Sequence, residues 1–179
     1  TRDDESLSKL NDLDSDNSKI ISFDTNNFKE LEKILITFNP IPEKIIIANG
    51  YMRNKFSKDE LTENILKTFN VNFLNNVFII NQLIDFYLKN NIKTRISVFT
   101  SVAGLRGRSK NFIYGSSKSA MITYLSGLRQ KHLLDNINFT TIILGFVNTK
   151  MIKSVYHLIS FKKVCIVLTK KIKPKRIDS

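Results

Sequence analysis

The 179-residue sequence predicts an α/β fold built on a parallel sheet, and three observations carry that prediction. Short apolar, β-branched runs recur at residues 19–23, 44–48, 96–99 and 138–144. They are continuous rather than alternating, the pattern of strands buried within a parallel sheet. Between them lie longer segments whose apolar residues recur every three or four positions, the period of a helix packed along one side. Strands and helices alternating at these lengths make a sheet covered on both faces, and right-handed crossovers gather the C-terminal strand ends along one edge.

Residues 1–18 are polar and acidic, with Leu7, Leu10 and Leu13 spaced as one face of a short helix. The strand at 19–23 ends in Asp24 and Thr25, and Asn27 stands where its side chain can cap the next helix. Phe28, Leu31, Ile34, Leu35 and Phe38 mark that helix's buried side, and Pro40 and Pro42 follow where it breaks. The strand at 44–48 runs into Asn49 and Gly50. The apolar periodicity of residues 61–87 reads as one long or broken helix, ended by Asn90 and Asn91. The strand carrying Ile96, Val98 and Phe99 then delivers Thr100 and Ser101 to its C-terminal end. A helix over residues 114–134 has Met121, Tyr124, Leu125 and Leu128 as its apolar stripe, and the strand at 138–144 stops at Gly145. Beyond Met151 the pattern fades, with one last strand expected within 161–169 and a tail over 170–179.

This length suits one domain with a sizeable core. It divides into residues 1–151, which carry the alternation, and a divergent basic segment at 152–179. A composition of 42% hydrophobic and 25% charged residues is that of a soluble globular protein. No apolar run approaches the ~18 residues of a membrane helix. The single cysteine, Cys165, excludes an internal disulfide and reads as a buried thiol, consistent with a reduced, cytoplasmic setting. The net charge of +12 is concentrated at one end: residues 150–179 hold nine Lys/Arg and one acidic residue, which is +8, leaving +4 for the rest. That distribution argues against nucleic acid, whose binding surface interleaves basic and aromatic residues. The tail is expected to be solvated, with peripheral contact to an anionic lipid surface as the alternative. His132 and His157 lack partners at metal-ligand spacing, so no metal site is expected. His132 is expected to be exposed near the negative end of its helix dipole.

The chemistry concentrates between Arg95 and Lys118. Tyr114 and Lys118 are four residues apart on a helix and so share a face. A phenol is a poor base at neutral pH, and an adjacent ammonium lowers its pKa by stabilising the phenolate. The pair then suits proton exchange with a C–OH or C=O oxygen. Ser101, thirteen residues before Tyr114, stands at a strand end, where open α/β sheets bind ligands.

Ser101, a glycine-containing loop and then Tyr114, Gly115, Ser116, Ser117, Lys118 and Ala120 resemble the active-site segment of the short-chain dehydrogenase/reductase family. The resemblance extends to Met151. It implies a Rossmann-like doubly wound parallel sheet, NAD or NADP as cofactor, and oxidoreduction between a secondary alcohol and a ketone. It further implies that Tyr114 exchanges the proton, Lys118 lowers the tyrosine pKa and holds the nicotinamide ribose, and Ser101 binds the substrate oxygen. Asn72, in NVNFLNN, resembles the residue that holds a relay water. Asp24 and Thr25 are similar to the adenine contact, and Asn49 and Gly50 to the residues supporting the cofactor ribose and sheet centre. Gly145, Val147 and Thr149 are similar to the turn that receives the carboxamide and phosphates.

The sequence departs from the family pattern in three places. The glycine-rich phosphate fingerprint is absent, so the sheet is expected to lack its first strands and the chain to be a fragment. Leu144 stands where a proline is usual, and the region after Met151 is short for a substrate lid. The run SVAGLRGRSKNFIYGSSKSA with the later GFVNTKM resembles reductases that partner a flavin oxidase in epimerising a pentose on polyprenyl phosphate. That branch implies a lipid-linked sugar substrate, with Arg106 and Arg108 placed to pair with its phosphate. Family members pair through their two long helices, which implies a homo-oligomer. The competing reading is a scaffold or binding module that keeps the fold without the chemistry.

Overall fold

The structure is a computed structural model that describes residues 30–53 and 57–145, together with the backbone of Ile166–Leu168. Among the described residues the apolar runs form one four-stranded sheet, and the strand expected at 19–23 lies outside them. Lys44–Ile47 (β1), Thr94–Ser101 (β2), Ile137–Leu144 (β3) and Ile166–Leu168 (β4) lie in the order β3-β2-β1-β4. β1 is parallel to β2, with Ile45 opposite Ile96, and β2 is parallel to β3 from Thr94 opposite Ile137 to Ser101 opposite Leu144. β4 lies antiparallel on the outer edge of β1, with Ile45 opposite Leu168 and Ile47 opposite Ile166. The last strand expected within 161–169 is thus present over three residues but reversed, an edge pairing that mixed sheets often use.

Among the described residues, four α-helices flank this frame: Glu30–Leu35 (α1), Leu61–Phe69 (α2), Asn75–Lys89 (α3) and Phe112–Lys131 (α4). The region read as one long or broken helix is helical throughout, but Asn70–Leu74 between α2 and α3 forms a π turn. His132 follows α4 and is buried, which corrects the expectation that it is exposed. The chain turns back there into β3, placing the imidazole 5.8 Å from the Phe139 ring and Nδ1 2.6 Å from Asp135 Oδ2.

Strand alternation directs Ile45, Ile47, Ile96, Val98, Ile137 and Phe139 to one face. There they join Leu31 and Leu35 of α1, Ile79, Ile80, Leu83 and Tyr87 of α3, and Met121, Leu125 and Leu128 of α4 in one buried cluster. Each fully buried side chain of this kind contributes about 1.5–3 kcal/mol. Residues of the opposite parity, Ile46, Ser97 and Phe99, are half-buried on the other face. Tyr87 Oη donates to Pro42 O at 2.5 Å and ties α3 to the approach to β1.

Two glycines set the distance between α4 and the 3-10 turn Val102–Gly104 that follows β2. A Cβ on Gly115 would stand 2.6 Å from Ala103 O, and one on Gly104 would stand 2.8 Å from Ser119 N. Both obstructing atoms are backbone, which cannot rotate aside as a side chain can. Gly115→Ala should therefore lower stability by about 1–3 kcal/mol, read as a lower urea midpoint at unchanged slope. A variant as stable as the parent would mean that α4 can lift from the turn without penalty.

Candidate active site

The C-terminal ends of the three parallel strands share one edge of the sheet. Asn49 and Gly50 lie just beyond β1, Ser101 closes β2 and Gly145 follows β3. Asn49 and Gly50 are buried and Gly145 is exposed. Ser101 is extended, and its Oγ accepts a 3.2 Å hydrogen bond from Ala103 N, which turns the chain into the 3-10 segment. The return of the chain as α4 brings Tyr114 onto this strand end, where its phenol faces the Ser101 side chain.

Lys118 follows one turn later and is buried, with 4% of its surface exposed. Its Nζ donates to Phe99 O at 3.2 Å and stands 5.9 Å from the centroid of the Tyr114 ring. Ser101, Tyr114 and Lys118 are thus brought together at the end of β2. Burial pushes the Lys118 pKa down from 10.5 to about 8. Burial pushes the Tyr114 phenol up, and the nearby Ser101 side chain partly offsets that rise. The expectation was a phenol lowered by its lysine neighbour. Here desolvation is the larger influence, and the ammonium's hydrogen bond goes to the strand rather than to the phenol.

Asn72 sits in the π turn and is fully buried. Its Oδ1 accepts from Tyr51 N at 2.7 Å, while Nδ2 donates to Tyr51 O at 2.8 Å and to Ser117 Oγ at 3.0 Å. The side chain thereby pairs with Tyr51 as a neighbouring strand would, and both of its amide protons are used. The Asn72 side chain is thus committed to Tyr51 and Ser117. The widened turn pairs Asn75 N with Asn70 O and leaves nearby carbonyls to side chains. Val71 O accepts from Asn49 Nδ2 at 3.1 Å, and Asn72 O accepts from Asn76 Nδ2 at 3.0 Å. Asn49 Oδ1 is buried without a hydrogen-bond partner, an acceptor left beside the end of β1.

Sequence reasoning missed Tyr51, Ser117 and Asn76. The signal for the π turn was the density of asparagine in NVNFLNN, since amide side chains can satisfy the carbonyls that such a turn releases. Arg106 and Arg108 are exposed in the loop between the 3-10 turn and α4. Asp24, Thr25, Val147 and Thr149 lie outside the described residues. No group of three or more metal-ligating side chains occurs among the described residues.

A sequence profile described as short chain dehydrogenase matches residues 2–158. The chain belongs to this family. Among curated short-chain dehydrogenases, virK of Hypocrea virens is 33% identical over 98 residues, covering 52% of this chain and 36% of that protein. The 3-oxoacyl-(acyl-carrier-protein) reductase of Bos taurus is 26% identical over 128 residues, covering 72% of this chain and 52% of that protein. The chain therefore spans about a third to a half of the length of these relatives.

Solved short-chain dehydrogenases share the fold. One from Burkholderia phymatum in complex with NAD superposes with a TM-score of 0.64 at 17% identity, over 86% of this chain and 54% of that one. Serine dehydrogenase from Escherichia coli gives 0.66 at 22% identity, over 86% and 73%. The sheet is accordingly the Rossmann-like one that the sequence led us to expect.

The buried Lys118 ammonium has a measurable consequence for stability. Below pH 8 the folded and unfolded chains both hold the Lys118 proton, and the burial penalty is fully present. Between about pH 8 and 10.5 only the unfolded chain keeps that proton, so stability from this group rises with pH. Lys118→Met should therefore raise stability at pH 7 by up to about 3 kcal/mol and remove that rise. Urea unfolding at pH 7 and pH 10 tests this, and a parent and variant of equal stability at pH 7 would contradict it.

Proposed function

We propose that this chain carries the proton-transfer centre of an NAD(P)-dependent oxidoreductase that interconverts a secondary alcohol and a ketone. The observation that carries this reading is the convergence of Ser101, Tyr114 and Lys118 at the C-terminal end of β2, in a chain of this family. Ser101 Oγ holds the substrate oxygen, and Tyr114 Oη exchanges a proton with it. A phenol raised by burial stays protonated at neutral pH, which suits donation to a carbonyl oxygen and thus ketone reduction. With its pKa near 8, Lys118 is mostly ammonium at pH 7 and stabilises the tyrosinate left by that donation.

The described residues fit the nicotinamide end of the cofactor. The unpartnered Asn49 Oδ1 is an acceptor for a sugar hydroxyl, and Lys118 is the donor for the nicotinamide ribose. Asp24, Thr25, Gly50, Gly145, Val147 and Thr149 complete the cofactor contacts in this reading. The cofactor supplies the hydride when bound. On the sequence resemblance, the finer substrate reading is a keto-pentose carried on polyprenyl phosphate. The exposed Arg106 and Arg108 are available to its phosphate in that reading.

Tyr114→Phe tests the assignment. In a protein that turns over, it should lower kcat by at least a hundredfold, while NADH or NADPH binding followed by fluorescence changes less than threefold. Substantial residual turnover would remove Tyr114 from the proton-transfer role. A substrate panel should include sugar-linked ketones and 3-oxoacyl thioesters, the latter because of the reductase relative.

A second copy of the chain is the partner we propose for the outer side of α2, α3 and α4. Leu66 of α2, Leu74 of the π turn, Phe78 of α3 and Phe112 of α4 expose between 41% and 59% of their surfaces, and large exposed apolar side chains are the material of protein–protein contacts. Leu66→Lys should shift sedimentation toward the monomer at micromolar concentration. A parent chain already monomeric under those conditions would end this proposal.

A further inference from the structure

We infer that Ser117 is a positioning residue for Tyr114, the closing link of a buried strut from the loop after β1 to the first turn of α4. This rests on the reading of Tyr114 as the proton-transfer residue. Ser117 has no exposed surface. Its Oγ donates to Tyr114 O at 2.8 Å and accepts from Asn72 Nδ2 at 3.0 Å. Asn72 in turn holds Tyr51 by both its N–H, at 2.7 Å, and its C=O, at 2.8 Å. Four groups are therefore joined without a gap: the Tyr51 backbone, the Asn72 amide, the Ser117 hydroxyl and the Tyr114 carbonyl.

A serine inside a helix often bonds to the carbonyl three or four residues back, and that bond alone says little. Two features make this one different. The hydroxyl also accepts from Asn72, and a hydroxyl that accepts while donating is polarised toward a stronger bond. In addition, the carbonyl it reaches belongs to the residue whose phenol must meet Ser101. The other restraints on this turn act elsewhere: Gly115 lies against Ala103 O and Lys118 binds Phe99 O. Ser117 alone among the three ties the Tyr114 backbone to the β1 side, where Asn49 offers its free acceptor. Removing the hydroxyl leaves a buried Asn72 amide proton without its acceptor and takes from the Tyr114 carbonyl the bond that ties it across to Asn72. The first turn of α4 should then relax, and the phenol should move away from Ser101.

Ser117→Ala in the full chain tests the strut through Tyr114 itself, without requiring turnover. Tyrosinate absorbance is titrated in the variant and in the same variant carrying Tyr114→Phe, and the difference isolates Tyr114. Because the nearby Ser101 side chain counters the rise that burial imposes on the phenol, the Tyr114 midpoint should move upward by half a pH unit or more. An unchanged midpoint in a folded Ser117→Ala protein would overturn the proposal. If Ser117→Ala does not fold, Ser117→Cys, whose thiol is a weaker donor and acceptor, is read by the same criterion. In a version that turns over, kcat should fall about tenfold with KM for the cofactor nearly unchanged. A shifted midpoint without turnover in any version would support the strut while rejecting the catalytic reading, so the two failures are distinguishable.

Discussion

The close approach of α4 to the turn after β2 is the constraint on which the rest of the site depends. No Cβ fits between Gly115 and Ala103 O or between Gly104 and the backbone at Ser119. With both glycines in place, the helix axis comes near enough for the Tyr114 phenol to reach Ser101 and for the Lys118 stem to reach back to Phe99 O. A wider spacing would leave the phenol and the ammonium in solvent, with ordinary pKa values and no shared pocket. Packing distance thus determines electrostatics here: burial raises one group, lowers the other, and follows directly from two absent side chains.

Behind this contact, two kinds of adhesion divide the labour. The apolar cluster of β1–β3 with α1, α3 and α4 supplies stability that is insensitive to direction. The seam of Asn49, Asn72, Asn76 and Ser117 supplies direction, because amide and hydroxyl bonds fix angles as well as distances. Polar groups in such a place are tolerable only when most are satisfied. Asn72 meets that condition fully, whereas Asn49 and Asn76 each retain one unpartnered oxygen. The π turn is what makes the seam possible, since an unbroken α-helix would have used its carbonyls internally.

Much of this was legible in the sequence. Continuous β-branched runs located β1, β2 and β3 within a few residues, because strands buried in a parallel sheet have little freedom of composition. The i, i+4 spacing placed Tyr114 and Lys118 together, because helix geometry admits no other outcome. Side-chain duties were harder to read. Asn72 acquires its duty from Tyr51, and Ser117 acquires its own from Asn72, residues distant in sequence whose positions no periodicity reveals. His132 looked like a surface residue because its helix ends there, yet the return of the chain into β3 covers it. The direction of β4 was likewise beyond reach, since a short apolar run pairs equally well either way along an edge.

The run from Tyr114 to Lys118 can also be viewed as a set of permitted letters. Tyr114 meets Ser101, Gly115 lies against a carbonyl, Ser117 joins Asn72, and Lys118 is enclosed beneath the strand. Ser116 alone in this run is exposed. Exchange of Ser116 for another helix-compatible residue is therefore nearly neutral, whereas each of the other four positions is held by a contact.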